Sequence, residues 1–150
     1  MESGKRRTSI VLISDKLESL GYFQMVARDL PTDVLNVLRF PAALVVRRLE
    51  TIEYSTNTER TSSFGLSIVL FLEAPTDMEL AKCDIQDRVE EAMAELFVSS
   101  EWRGLNLQLL LDQVDAGPLA LSAFGIEGAI FAPYGAVRMD YTATFDYVVG

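Results

Sequence analysis

Apolar positions along this chain follow two periods. From Thr76 to about Phe97, Met78, Ala81, Ile85, Val89, Ala92 and Leu96 recur every three or four residues. That spacing predicts one long amphipathic helix, with Met93 and Phe97 widening its buried stripe. Thr76-Asp77-Met78-Glu79 reads as a capping box behind Pro75, with Thr76 as N-cap and Glu79 reaching back. From Val137 to Tyr147 the period is two. Val137, Met139, Tyr141, Ala143, Phe145 and Tyr147 alternate with Arg138, Asp140, Thr142, Thr144 and Asp146. This predicts a strand with one packed face and one polar face.

The rest of the pattern is shorter-ranged. Ile10, Ile13, Leu17 and Leu20 predict a helix over Ser9–Leu20, ended by Gly21, with residues 1–7 loose; a strand over Ser9–Ser14 is the rival. Tyr22–Arg28 is expected as a short strand. Leu30–Asp33 reads as a turn and N-cap, and Val34–Phe40 as a brief helical segment stopped by Pro41. Ala42–Tyr54 and Phe64–Glu73 are expected as the strands of a long hairpin, joined by the polar loop Ser55–Ser63. Ser99–Gly104 closes the long helix. Leu105–Val114 and Leu119–Phe124 are further strands, separated by the turn Ala116-Gly117-Pro118. Gly125–Ala136 is an apolar, Gly-rich loop, either an exposed interaction surface or a lid on the core.

Together these elements predict an α+β domain. Its sheet is mainly antiparallel, and mixed pairing is allowed. A long β-hairpin is its main feature, and an N-terminal helix and one long amphipathic helix pack on it. A chain of 150 residues fits one domain, spanning 1–150. Such a chain buries roughly 70% of its unfolded surface and needs no metal or disulfide to fold.

Composition narrows the function by exclusion. With 49% hydrophobic and 23% charged residues the chain is not generally disordered. It has no His, which removes the usual general base, the Ser-His-Asp triad and imidazole metal sites. Its single Cys83 makes neither a zinc site nor an internal disulfide and fits a reducing compartment. No phosphate-cradling glycine motif is present; Gly125-Ile126-Glu127-Gly128 is not followed by a helix pattern. Asp112 and Asp115 could pair as carboxylates but sit where a strand ends. Trp102 and Arg103 could form a stacking platform, although an anchor for the helix end is the simpler role for Trp102. No apolar run reaches the roughly 18 residues of a membrane span. Lys5-Arg6-Arg7 followed by the short apolar run Ile10–Ile13 is not a signal peptide. No enzyme activity and no cofactor or metal are therefore expected.

Charge adds one asymmetry. The net charge of −9 disfavours a phosphate-gripping DNA binder. Residues 1–48 hold 8 Lys/Arg against 5 Asp/Glu, whereas residues 49–150 hold 5 against 17. A basic front and an acidic rear would support self-association through opposite charges; chance segregation is the plain alternative. The outer face of the long helix concentrates the acids: Glu79, Asp84, Asp87, Glu90, Glu91 and Glu95, against Lys82 and Arg88. A solvated face accounts for them; the functional reading is a surface that repels phosphate or meets a basic partner.

The order of elements carries a resemblance. A helix and a short strand precede Phe40-Pro41-Ala42-Ala43-Leu44-Val45, which leads into the long hairpin. The acidic helix beginning Thr76-Asp77-Met78-Glu79 follows, then a strand after Trp102-Arg103-Gly104-Leu105, then the closing strand ending Tyr141-Thr142-Ala143-Thr144-Phe145-Asp146-Tyr147. From about Thr8 to Val149 this layout resembles the tail terminator (tail completion) proteins of long-tailed bacteriophages. The Gly125–Ala136 loop has no counterpart in that pattern. The resemblance implies a structural virion protein, made in the host cytoplasm and found in the tail or neck. Such proteins form a ring, usually a homohexamer, that caps the tail tube, stops its polymerisation and joins the head connector or neck. Expected partners are other copies of the chain, the tail-tube protein, the head–tail connector and, in a contractile tail, the sheath protein. DNA would pass through without specific binding. Another phage neck or tail protein (a head–tail joining or tail-tube subunit) and a small-molecule-binding α+β domain are the alternatives. Channel-facing or subunit-contact candidates are the six helix acids, with the Thr51–Arg60 hairpin as the other channel-facing candidate. Assembly-loop candidates are Thr56, Asn57, Thr58, Glu59 and Arg60 in the hairpin and Ile126, Ile130, Phe131 and Tyr134 in the apolar loop.

Overall fold

The structure is a computed structural model that describes residues 4–28, 39–118, 120–122 and 133–148. Among them the elements run α1 (Lys5–Ser19), β1 (Met25–Ala27), β2 (Ala42–Tyr54), β3 (Glu59–Glu73), α2 (Met78–Phe97), α3 (Ser100–Arg103), β4 (Gln108–Asp115) and β5 (Tyr134–Val148). The expected turn at Leu30–Asp33 and the helical segment from Val34 lie outside the described residues, apart from Arg39 and Phe40, which are not helical.

One five-stranded sheet, ordered β1-β2-β3-β5-β4, carries the fold. β1 runs parallel to β2, and every other pairing is antiparallel. The sheet is thus mixed but mainly antiparallel, with the β2–β3 hairpin as its long arm. β3 is central, bonded along its whole length to β5 from Glu59↔Val148 to Glu73↔Tyr134.

Both long helices lie on one face of this sheet. Period two sends Phe64, Leu66, Ile68 and Leu70 of β3, with Val137, Met139, Tyr141, Ala143 and Phe145 of β5, toward the helices. They meet Ile13 and Leu17 of α1 and Ile85, Val89, Ala92, Met93 and Leu96 of α2. The helices turn the same stripes inward that their spacing predicts. At Gly135, an added Cβ would lie 2.6 Å from Met78 Sδ, so the first turn of α2 sits close on β5. The opposite face holds a smaller apolar cluster: Ala42, Leu44, Val69, Phe71 and Ala136 under Ala120 and Leu121.

Several boundaries differ from the sequence expectations: β1 is Met25–Ala27 rather than Tyr22–Arg28, and β4 is Gln108–Asp115 rather than Leu105–Val114. α1 begins at Lys5 rather than Ser9, because Arg6 is anchored to Glu50 of β2 and the first turn is held. The hairpin loop is Ser55–Thr58 only; Glu59–Ser63 belong to β3, paired on both sides. α2 has no capping box: its N-cap is Asp77, left-handed at φ 53, with no side-chain cap hydrogen bond. Residues 120–122 form turn and 3₁₀ structure rather than a strand. Finally, Tyr134–Ala136 are strand residues of β5, not loop. Gly21, by contrast, takes the left-handed φ of +65 expected after a helix end.

Candidate assembly surfaces

The acidic helix face forms as expected. Burying Ile85, Val89 and Leu96 turns Glu79, Asp84, Asp87, Glu90, Glu91 and Glu95 to solvent, and all six are exposed. Two meet cations of the same chain: Lys16 Nζ donates to Glu95 Oε2 at 2.7 Å, and Lys82 Nζ lies 3.5 Å from Glu79 Oε1. Lys82 itself corrects the sequence reading. It is only 9% exposed and donates to the Ala116 carbonyl at 2.7 Å, so its stem packs and its ammonium clamps α2 to the end of β4. Arg88 lies over the Tyr22 ring at 4.2 Å, joining α2 to the segment after α1.

The hairpin tip is locally closed. Thr56 Oγ1 accepts from the amides of Thr58 at 3.2 Å and Glu59 at 3.0 Å, and the amides of Ser55 and Thr56 donate to the Glu59 carbonyl. Thr56, Asn57 and Thr58 are the exposed turn. Glu59 and Arg60 are strand residues, and the Arg60 guanidinium lies 4.5 Å over the Tyr147 ring. Of the apolar-loop candidates, Ile126, Ile130 and Phe131 lie outside the described residues. Tyr134 begins β5 and packs on Phe40 with ring centroids 5.2 Å apart. The hairpin group and Tyr134 are not brought together with the helix acids into one pocket.

Two charged groups tie the fold. Arg6 donates through Nε and Nη2 to the two oxygens of Glu50, both at 2.7 Å. That hydrogen-bonded pair holds the Glu50 carboxyl below its usual value, against a smaller upward push from burial, and Arg47 and Arg60 add to the lowering. On the other sheet face, Asp140 centres a buried network that sequence reasoning missed. Ser67 Oγ donates to Asp140 Oδ1 at 2.7 Å and Gln113 Nε2 to Oδ2 at 2.9 Å. Arg138 Nε reaches Oδ2 at 3.2 Å, while its Nη1 donates to the Ala120 carbonyl at 2.6 Å. Arg48 Nε donates to Ser67 Oγ at 2.7 Å. Burial pushes the Asp140 carboxyl up. The bonds from Gln113 and Ser67 and the charges of Arg138 and Arg48 outweigh it and hold the carboxyl below its usual range. Arg138 and Asp140 stood on the polar side of the alternating strand, and only their opposite charges two residues apart hinted at pairing.

The other candidates resolve into structural roles. Asp115 accepts from the Gly117 amide at 2.9 Å and lies 3.8 Å from Arg138; Asp112 accepts from Thr142. Trp102 is buried against Phe97 at 5.1 Å and anchors the end of α2, as the simpler reading had it. A cleft of about 550 Å³ lies beside it, lined by Arg103, Asn106, Gln108, Thr144 and Asp146. Among the described residues no three His, Cys, Asp or Glu side chains are grouped to hold a metal ion, and no helix is long and apolar enough to cross a membrane.

Of the seven exposed large apolar side chains among the described residues, Leu80 and Val98 lie on and just after α2, and the other five lie on two strands. Leu49, Ile52 and Tyr54 lie on the distal half of β2, and Leu110 and Leu111 on β4. Beside β2, where β1 stops, Arg6, Arg7, Arg28 and Arg47 surround a cavity of about 420 Å³ floored by Ile10, Val11 and Val45. Fold and surfaces define a class: a mixed-sheet α+β domain whose buried charges hold the framework and whose free chemistry is spread over extended surfaces. No protein-family model and no curated protein matches the chain.

Proposed function

We propose that this chain is a ring-forming tail terminator of a long-tailed bacteriophage, a structural protein that caps the tail tube and joins it to the head connector. The observation that carries the reading is the order of elements. An N-terminal helix, a short strand, a long hairpin, an acidic amphipathic helix and two closing strands follow one another. The reading also draws on the Phe40–Val45 and Tyr141–Tyr147 sequence patterns. Two features support it further. Exposed apolar residues on β2 and β4 suit a subunit that buries them in an assembly. The carboxylates Asp84, Asp87, Glu90 and Glu91 leave one helix face acidic, a surface that slides past phosphate or meets a basic neighbour.

In this reading the partners are other copies in a hexameric ring, the tail-tube protein, the connector and, in a contractile tail, the sheath. DNA passes the centre without specific contacts. Native mass measurement together with tube assembly tests it. A terminator forms a ring and limits tube length when added to polymerising tube protein. A chain that extends tubes is a tube subunit, the second reading within the same particle. A monomer at high concentration with no affinity for tubes sinks both.

A further inference from the structure

Two groups of charges in this fold lack counter-charges of their own, and they are opposite in sign. The first surrounds the cavity of about 420 Å³. α1 brings Arg6 and Arg7 to it, the residue after β1 is Arg28, and β2 brings Arg47. Glu50 answers two of these: Arg6 holds both its oxygens, and Arg47 lies at 3.8 Å. Arg7 and Arg28 form no ion pair among the described residues, and Arg28 donates only to Ser14 Oγ, at 3.4 Å. Glu18 belongs to the adjoining cleft, which it shares with Arg28. Beneath the guanidinium groups the floor is apolar: Ile10, Val11 and Val45.

The second group lies on the outer line of α2. At 3.6 residues per turn, Leu80, Asp84, Asp87 and Glu91 fall within roughly 60° of one another, and all four are exposed. Asp84, Asp87 and Glu91 form no ion pair among the described residues. The cations nearby are engaged elsewhere. Lys82 is buried and donates to the Ala116 carbonyl, Lys16 pairs with Glu95, and Arg88 lies over the Tyr22 ring.

The two groups match in more than sign. Leu80 is 64% exposed and stands one turn before Asp84, so the line presents an apolar side chain beside carboxylates. The corner offers an apolar floor beneath guanidinium groups, whose forked donors suit carboxylates. Two corners brought together would oppose arginines, and two helix lines would oppose carboxylates, in any register. We propose that the Leu80–Glu91 line of α2 docks in the arginine corner of the next copy. Leu80 rests on the floor, and Asp84 and Asp87 face Arg7 and Arg28. The contact joins unlike patches, one of each per copy, and repeats round a ring when the rotation closes. This rests on the ring reading and names the surfaces that build the ring.

Charge exchange tests it. One variant carries Arg7→Glu and Arg28→Glu, a second Asp84→Arg and Asp87→Arg, and a third all four changes. The four positions are exposed, and far-UV circular dichroism with thermal melting checks that each variant folds. The first and second should each fall from the wild-type assembly to the 16.7 kDa monomer by native mass. The first makes the chain more acidic and the second less so, which separates this loss from an effect of net charge. The third should assemble again. An equimolar mixture of the first two should do the same, each copy's corner taking the other's helix. Leu80→Asn in the wild-type chain should weaken assembly by about tenfold or more, the worth of burying one leucine. Assembly by the first or second variant alone, a third variant and a mixture that stay monomeric, or no effect of Leu80→Asn overturns the contact and leaves the ring reading standing. If the first variant still assembles but no longer caps tubes, the corner takes an acidic partner other than this chain, and the contact is overturned too. A wild-type chain that stays monomeric removes both.

Discussion

Arg6 grips Glu50 through two hydrogen bonds of 2.7 Å across 44 residues of sequence, fastening the first turn of α1 to the hairpin arm. The same guanidinium lies 5.0 Å from the Phe145 ring centroid, so one side chain connects helix, β2 and β5. Because both partners are partly exposed, solvent screens the pair, and Arg6→Met should cost about 1 kcal/mol at neutral pH. The Glu50 carboxyl is held below its ordinary 4.5. Its contribution is therefore complete above that value and lost as pH falls through the lower folded value. Urea melts of wild type and Arg6→Met should separate at pH 7 and converge in acid. A gap that widens toward acid would contradict this linkage.

Asp140 is a harsher case, since its side chain is 4% exposed and faces two arginines. Asp140→Asn keeps the shape and some hydrogen bonds but removes the buried carboxylate that Arg138 Nε contacts at 3.2 Å. The expected loss is about 3 kcal/mol, the range for breaking a buried pair. Ser67→Ala removes a single hydrogen bond of the network and should cost about 1 kcal/mol. Equal losses in the two variants, by chemical denaturation, would show that charge is not what the network supplies.

These two groups mark what the sequence made legible. The long helix and the alternating strand could be read because each repeats one period over many residues, and the strand Ala42–Tyr54 because of its apolar run Leu44-Val45-Val46, whose start is buried on both faces. Glu59–Ser63 looked like loop because its hydroxyls and charges carry no apolar alternation. They are strand all the same, held between β2 and β5 by backbone pairing that no local pattern encodes. Arg138 and Asp140 were legible as the polar side of β5. Their burial depends on Arg48, Gln113 and the Ala120 carbonyl, which come from distant parts of the chain. The candidate surfaces were half legible. The acidic helix face followed from spacing, whereas the place of β4 at the end of the strand order β1-β2-β3-β5-β4 follows from topology, which spacing does not determine.

The start of α2 separates sequence logic from structure. A capping box would make Thr76→Ala cost about 1 kcal/mol. In the folded chain Thr76 is exposed and the N-cap is Asp77, left-handed at φ 53. Thr76→Ala should therefore change stability by less than about 0.5 kcal/mol. Asp77→Gly should stabilise by roughly 0.5–1 kcal/mol, because glycine takes positive φ without the Cβ penalty. Thermal melts of the two variants decide it; a large loss in Thr76→Ala together with a loss in Asp77→Gly would restore the capping box.

The acidic face of α2 tests whether its charge serves the fold or a surface. Asp84 and Asp87 stand three apart, and Asp87, Glu91 and Glu95 four apart, on a chain of net charge −9. Like charges at these spacings destabilise a helix by about 0.2–0.5 kcal/mol per pair. Replacing Asp84 and Asp87 by Asn, and Glu90 and Glu91 by Gln, should thus raise stability at low salt. The gain should shrink as ionic strength shortens the screening length. A face kept acidic at the expense of stability points to a role in the assembled particle. In the proposed terminator, the same variant should fold better yet form rings or limit tube length less well. If tube capping is unchanged while stability rises, the acids are solvated surface and the assembly chemistry lies elsewhere on the chain.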